Sequence, residues 1–240
     1  MSLSLRTAAV HTRLAEAVTD HAPAAFASSF GLEDMVIFDV IAKLDLPVEI
    51  FTLDTGRLHD ETYAFIEAVR QHYGRPIRLY APDAADIEPF TTAHGPNPFY
   101  RSLELRKQCC DLRKVKPLAR ALAGKNIWIT GLRRGQSVTR TDTPILAHDA
   151  THGIMKLAPL ADWGEADVDA YLRANAVPTH PLHARGFPSI GCAPCTRAVA
   201  LGEDPRAGRW WWEAPAAREC GIHIDDKGRV VRANPAPVSP

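Results

Sequence analysis

The chain has 240 residues, and its 28 Lys and Arg balance 28 Asp and Glu to a formal net charge of zero. That balance gives no global field for nucleic acid or an acidic membrane surface, so any anion site must be local. Hydrophobic residues make up 46%, enough for a sizeable core in one large α/β domain or two small ones. No apolar run approaches the roughly 18 residues that a membrane span needs. Met1–Val10 lacks the apolar core of a secretion signal, so none is expected. Five cysteines, an odd number, then point to a reducing, cytoplasmic setting.

In chain order, Leu3 to about Thr19 carries Leu5, Ala9, Leu14, Ala17 and Val18 at helical spacing, and His21-Ala-Pro ends it. Ala24–Ser28 reads as a short buried strand and Leu32–Leu44 as a helix. The Ser28-Ser-Phe-Gly-Leu-Glu-Asp34 turn between them points backbone N–H groups and a helix N-terminus at one spot. Ser28, Ser29 and Gly31 are therefore anion-site candidates, although ordinary strand-to-helix turns look similar. Val48–Leu53 is a second strand ending in Asp54-Thr-Gly-Arg57, followed by a helix over His59–His72 and a strand over Pro76–Tyr80. This alternation predicts a doubly wound, mostly parallel sheet, with Ser28, Ser29, Leu53 and Asp54 at its carboxyl edge, where such sheets bind ligands. Pro82–Pro98 has room for one short helix.

Tyr100 to about Ala123 reads as one long helix with Gly124 as its stop. Lys114 lies about one turn beyond Cys110 on it. Ile127–Thr130 is a further strand, and the Gly131–Arg140 loop after it combines Arg133, Arg134 and Arg140 with Ser137 and Thr139. Arginine forks of this kind suit phosphate and sulfate oxygens, although a plain surface loop is the bland alternative. Met155–Trp163 returns toward the sheet, and Gly164–Asn175 is a helix capped near its first residue. His180 and His183 are read as structural groups or as braces for nearby ligands. Trp210-Trp-Trp212 implies buried anchoring area or an interface, which permits a homo-oligomer. Arg206 and Arg209 beside it could close over an anion. From Ala214 the chain is rich in Pro, Ala and charge, and a mobile tail is expected there. The chain divides on this reading at 205, with residues 1–205 as the main domain and 206–240 as the tail.

Four cysteines fall in two places, Cys109-Cys110 and Cys192-Ala-Pro-Cys195. Adjacent helical residues diverge by roughly 100°, so a vicinal pair suits two irons of a cubane better than one zinc, which prefers spaced pairs. A 4Fe–4S cluster is favoured on spacing. Zinc, disulfides or unrelated thiols remain alternatives. Cys220 stands apart on the tail, and an exposed thiol whose pKa is lowered by cations makes a good nucleophile.

Read together, Ser-Ser-Phe-Gly-Leu-Glu-Asp, Leu-Asp-Thr-Gly-Arg, Cys-Cys-Asp-Leu-Arg-Lys, Thr-Gly-Leu-Arg-Arg-Gly-Gln-Ser, Gly-Cys-Ala-Pro-Cys-Thr-Arg, Gly-Arg-Trp-Trp-Trp-Glu and Glu-Cys-Gly-Ile-His resemble the cluster-containing assimilatory adenylyl-sulfate (APS) reductases. The likeness runs from Ser28 to His223, with conservative departures such as Ile222 where leucine is more familiar. It implies a PP-loop adenine-nucleotide (alpha-hydrolase-like) fold, in which Ser28–Asp34 is a modified PP-loop and Leu53–Gly56 cradles adenosine. It also implies one 4Fe–4S cluster on Cys109, Cys110, Cys192 and Cys195, APS as substrate and thioredoxin as reductant. Cys220 would attack the sulfuryl sulfur, with His223 orienting or activating it. Lys114, Arg140, Arg206 and Arg209 would neutralise the phosphosulfate, and Gly131 and Arg133 would complete the substrate site. The 3′-phosphorylated substrate, PAPS, is the nearest rival. PP-loop adenylation and a non-enzymatic iron–sulfur sensor or zinc-stabilised module stand further off.

Overall fold

The computed structural model describes residues 2–136 and 140–214. Ser137, Thr139, Cys220, His223 and the expected mobility of the tail lie outside the described residues. Thirteen helices and strands follow in chain order: α1 (Leu3–Asp20), β1 (Ala24–Ala27), α2 (Leu32–Lys43), β2 (Val48–Leu53), α3 (Asp60–Tyr73), β3 (Arg78–Tyr80), α4 (Ala84–His94), α5 (Leu103–Cys110), α6 (Lys116–Leu122), β4 (Ile127–Ile129), β5 (Leu146–Asp149), β6 (Ile154–Leu157) and α7 (Glu165–Ala174). The strands form one sheet in the order β3-β2-β1-β4-β6-β5. Every neighbouring pair is parallel except β5 with β6.

The sheet is covered on both faces, as a mostly parallel sheet must be. One face packs on α1, α2, α3 and α7. Helix α1 presents Val10, Leu14, Ala17 and Val18 at helical spacing, while α2 is buried almost all round from Asp34 to Ile41. Its interior Asp39 accepts hydrogen bonds from the Tyr171 hydroxyl at 2.7 Å and the Tyr73 hydroxyl at 3.2 Å, and pairs with Lys43 at 2.7 Å. The other face carries Ala25, Phe51 and Trp128 against Leu118, Ala121 and Leu122 of α6.

One expectation needed correction, one was met and one strand was new. The long helix over Tyr100–Ala123 is instead a 3₁₀ turn at Pro98–Tyr100, then α5, then a π turn at Asp111–Val115, then α6. Ser102 starts α5 by accepting the Leu105 N–H at 3.2 Å. The π turn falls just before Pro117, whose missing N–H cannot serve the Arg113 carbonyl; widening the turn accommodates that loss. Helix α4 fills most of the Pro- and Asp-rich stretch with Pro89 inside it. Strand β5, which had no clear sequence signal, adds an antiparallel edge.

The order of strands sets the ligand site. From β1 the chain winds outward through β2 to β3, then returns across the sheet to β4 on the other side of β1. The crevice between the carboxyl ends of β1 and β4 is thus the topological switch point, where doubly wound sheets bind ligands. Phe26, fully buried at the centre of β1, anchors that arrangement. Phe26→Ala should lower stability by about 3–5 kcal/mol, read as a fall in the urea midpoint. Leu5→Ala, at a position 61% exposed, should shift it by no more than about 0.5 kcal/mol.

Candidate active site

The turn after β1 opens the crevice. Ser28 continues the β1–β2 ladder, its N–H bonding the Phe51 carbonyl at 2.8 Å, and its hydroxyl accepts the Phe30 N–H at 3.2 Å. Phe30 is buried with φ of 61°, the left-handed region that a bulky residue rarely occupies. Phe65, edge-on at 6.1 Å, packs against its ring. The reversal delivers the chain to Gly31, which starts α2 without any side-chain cap. Uncapped N–H groups at a helix start are what an anion requires.

Two carboxylates in the first turn of α2 oppose that use, and the structure deals with each. Glu33 is paired with buried Arg133, through Nε at 2.8 Å and Nη2 at 2.7 Å. Arg133 therefore ties the β4 loop to the anion turn. Asp34 accepts from the Ser29 N–H at 2.6 Å and the Ser29 hydroxyl at 2.7 Å. Burial nevertheless pushes its pKa up to about 6, with the charge of Glu33 adding to the rise. Gly131, the first residue past Thr130, faces Asp34 so closely that any β-carbon there would overlap its carboxyl oxygen. This close approach, rather than a turn, is why residue 131 is glycine.

Farther along the loop, Arg140 donates to the Gln136 amide oxygen at 2.7 Å, and Gln136 in turn donates to the Gly131 carbonyl at 3.1 Å. Burial holds the pKa of Lys156 below its ordinary value, and Arg140 is close enough to add to that effect.

At the end of β2, Asp54 accepts from the Gly56 N–H at 2.8 Å and the Tyr63 hydroxyl at 2.7 Å. The same turn reaches the cysteines. Thr55 accepts from the Cys192 thiol at 3.3 Å and, through its carbonyl, from Arg113 at 2.7 Å. The Ala193 N–H bonds the Arg57 carbonyl at 2.8 Å. The expected adenosine edge and the expected cluster site are therefore joined by one turn.

Cys109, Cys110, Cys192 and Cys195 are all buried free thiols that line one cavity, together with Arg57, Phe99, Arg106, Arg113, Lys114 and Pro194. Burial pushes the Cys195 thiol well up, and its three neighbouring sulfurs push it further. Burial would raise Cys192 as well, but Lys114, the Thr55 hydroxyl, Arg209 and Arg113 together hold it below its usual value. Lys114 thus bears electrostatically on the cysteines, as its position one turn beyond Cys110 led us to expect. Among the described residues no three Cys, His, Asp or Glu side chains converge on a single ion-sized position. The four sulfurs ring a shared space instead.

The tryptophan segment closes this cavity. Trp210 is buried among Cys109, Cys192 and Cys195, and its backbone N–H bonds the Cys195 carbonyl at 3.1 Å. Arg209 is buried too, stacked 4.6 Å from the Trp210 ring and donating to the Ser189 hydroxyl at 3.1 Å. It also lies against Gly191, where a β-carbon would overlap the guanidinium. Arg206 is half-buried in the preceding turn, its N–H bonding Asp204 at 2.7 Å and its carbonyl accepting the Arg209 N–H at 2.9 Å. Sequence reading missed Arg106, which is 1% exposed and forms a bidentate pair with Glu213 at 2.8 and 2.9 Å. His180 is buried and structural. Its Nδ1 accepts the Leu182 N–H at 3.2 Å, Nε2 meets the Thr62 hydroxyl at 3.0 Å, and burial lowers its pKa to about 4. His183 bonds the Phe187 carbonyl through Nδ1 at 2.8 Å.

A helix start without a side-chain cap at the sheet's carboxyl edge and a sulfur-lined cavity with cationic walls are the features to set beside the sulfonucleotide reductases. Residues 23–198 match the phosphoadenosine phosphosulfate reductase domain family. The chain is 50% identical over 222 residues to an adenosine 5'-phosphosulfate reductase of Allochromatium vinosum, covering 92% of this chain and 87% of that protein. The crystal structure of a phosphoadenylyl-sulfate (PAPS) reductase from Candida auris, a phosphate complex, superposes with a TM-score of 0.67 at 31% identity, covering 79% of this chain and 90% of that one. Yeast FAD synthetase shares the fold alone, with a TM-score of 0.57 at 13% identity over 82% of this chain and 67% of that one. The chain belongs to the adenosine 5'-phosphosulfate reductase family, and its sheet is the PP-loop-type fold.

Asp34 makes a pH prediction. Its folded-state pKa of about 6 lies above the ordinary 3.8. The stability it contributes is therefore present in full below about pH 3.8 and lost as pH rises through about 6. Between pH 4 and 7.5 the wild type should lose roughly 2 kcal/mol relative to Asp34→Asn. Urea midpoints of both proteins across that range measure the difference, and parallel curves would contradict it.

Proposed function

We propose that this chain reduces adenosine 5'-phosphosulfate to sulfite and AMP, taking electrons from thioredoxin in a cytoplasmic setting. The observation that carries the reading is a juxtaposition at the sheet's carboxyl edge: the Asp54–Arg57 turn, at the end of the strand paired with β1, bonds both cysteine segments, through Thr55 to Cys192 and Arg113 and through Arg57 to Ala193. The names of the close relatives support the substrate. The odd cysteine count supports a reducing compartment.

The donor set fits an iron–sulfur cluster. Four sulfurs line one cavity, none is oxidised to a disulfide, and the walls carry Arg57, Arg106, Arg113 and Lys114. Cys109, Cys110, Cys192 and Cys195 would hold a 4Fe–4S cluster, which when bound adds a fixed local charge and fastens the two cysteine segments together.

In the proposed route the Cys220 thiolate attacks the sulfuryl sulfur. A sulfur–sulfur bond forms, the bond from sulfur to the bridging oxygen breaks, and AMP leaves with the electron pair. The product is Cys–S–SO3⁻. A thioredoxin thiolate then attacks the Cys220 sulfur and sulfite leaves; the second thioredoxin thiol resolves the mixed disulfide. No step requires a single electron. His223 orients or activates Cys220 on this reading, and residues 206–240 act as the segment that presents it.

Repulsion between a thiolate and a doubly anionic substrate has to be offset by fixed positive charge. Lys114, Arg140, Arg206 and Arg209 are the proposed cations. Ser28, Ser29, Gly31, Leu53, Asp54, Gly131 and Arg133 would shape the nucleotide site. Arg133 serves there by neutralising Glu33 beside the anion turn. A second reading, use of PAPS in place of APS or beside it, is kept alive by the likeness to the Candida auris enzyme.

Anaerobic turnover with APS and PAPS in parallel, reduced thioredoxin supplied, tests the proposal. Sulfite and AMP should form from APS, little from PAPS, and none in Cys220→Ser. Equal turnover of PAPS would mean a dual enzyme, and no sulfite from either would sink the reading. Lys114→Ala, with iron content retained, should lower kcat/KM by about 10²–10³, and an unchanged value would remove Lys114 from the mechanism.

A further inference from the structure

The geometry points to Arg106 and Glu213 as a positioning pair that fixes where the Cys220 segment leaves the cysteine site. This rests on the proposed role of Cys220 as nucleophile. Arg106 is 1% exposed on α5, three residues before Cys109. It donates to both Glu213 oxygens at 2.9 and 2.8 Å, stacks 4.8 Å from the Trp210 ring and hydrogen-bonds the Cys110 sulfur. One guanidinium therefore touches a cysteine ligand of the proposed cluster and the carboxylate at the start of the nucleophile's segment. The Glu213 N–H closes a turn onto the Trp210 carbonyl at 2.8 Å, so the carboxylate and its backbone are held together.

Glu213 lies seven residues before Cys220. A seven-residue span reaches at most about 25 Å, which is the upper limit the clasp sets on the thiol's distance from Glu213. Length alone is a weak lever. Without the clasp the next backbone tie is Trp210, whose backbone N–H bonds the Cys195 carbonyl, and the tether grows from seven residues to ten. Effective concentration falls roughly as the −3/2 power of length, a change of only about twofold. Orientation is the stronger lever, because misplacing a reacting group by about 1 Å can cost about 100-fold. Sharing one arginine with Cys110 also makes the direction of departure depend on the cysteine site. The pair is buried and matched in charge, so removing one partner leaves the other uncompensated.

The test uses the full chain with its iron counted. Glu213→Gln keeps size and loses charge; Glu213→Asp keeps charge one methylene shorter. Three quantities are measured in each: iron content, AMP affinity, and the single-turnover rate of the sulfite adduct on Cys220 by mass spectrometry. Expected for Glu213→Gln are unchanged iron and AMP affinity with adduct formation slower by about tenfold or more, and partial recovery in Glu213→Asp. A slowing of about twofold or less would reduce the pair to a tether and overturn the proposal. Loss of iron from both variants would make it a support of the cysteines, which overturns it equally. Failure of the wild type to form any adduct would instead strike the proposed function itself.

Discussion

Cys109, Cys110, Cys192 and Cys195 share one buried cavity, and burying sulfur that must ionise to bind metal is costly without compensating charge. The walls answer with Arg57, Arg106, Arg113 and Lys114. Each guanidinium then needs acceptors of its own, and these lie on other segments. Arg113 takes the Thr55 carbonyl, Arg57 takes the Pro96 carbonyl and Asn97, and Arg106 takes Glu213. Satisfying four sulfurs thus draws together the β2 turn, the stretch before α5, the cysteine-bearing helix and the tryptophan segment. Around the cysteines this chain of neutralisation works beside a small apolar cluster that includes Phe90, Phe99, Leu112 and Trp210.

The anion turn obeys the same logic with the signs reversed. The α2 start, proposed to accept phosphate, carries Glu33 and Asp34 in its first turn, both of the wrong charge. Arg133 neutralises the first. The second, with a pKa near 6, keeps most of its charge at pH 7, when roughly one in ten is protonated. Ser29 takes up that carboxylate with two hydrogen bonds. The uncapped N–H groups of α2 are thereby kept from being capped by the helix's own acids.

Much of this was legible in the sequence. The apolar periodicity of α1, the strand at Val48–Leu53 and the glycine and proline punctuation gave most elements to within a residue or two, because those signals are local. The four cysteines were legible as one site because thiols grouped two and two have few other uses. Strand β5 was not. Its Leu-Ala-His-Asp run leaves Leu146 38% exposed, so its membership is decided by pairing with β6 and not by its own pattern. The role of Arg133 was hidden for a different reason. A guanidinium in a loop looks alike whether it meets a phosphate or a carboxylate, and Glu33 lies 100 residues away. Arg106 and Glu213, 107 residues apart, were hidden in the same way.

The π turn between α5 and α6 shows how a local irregularity serves the site. Cys109 and Cys110 end one helix, Arg113 and Lys114 lie in the widened turn, and Pro117 lies in the first turn of the next helix. In an unbroken α-helix the directions of Cys110, Arg113 and Lys114 would be fixed by a constant angle per residue. Widening the turn changes that angle just where two sulfurs and two cations have to face one cavity. Pro117 makes the widening cheap, since the α-helical bond to the Arg113 carbonyl was already lost. Insertions of this kind concentrate at functional sites, and here the side chains it redirects are those that line the cavity. A proline that reads in sequence as a mere interruption is therefore part of how the cysteines meet their cations.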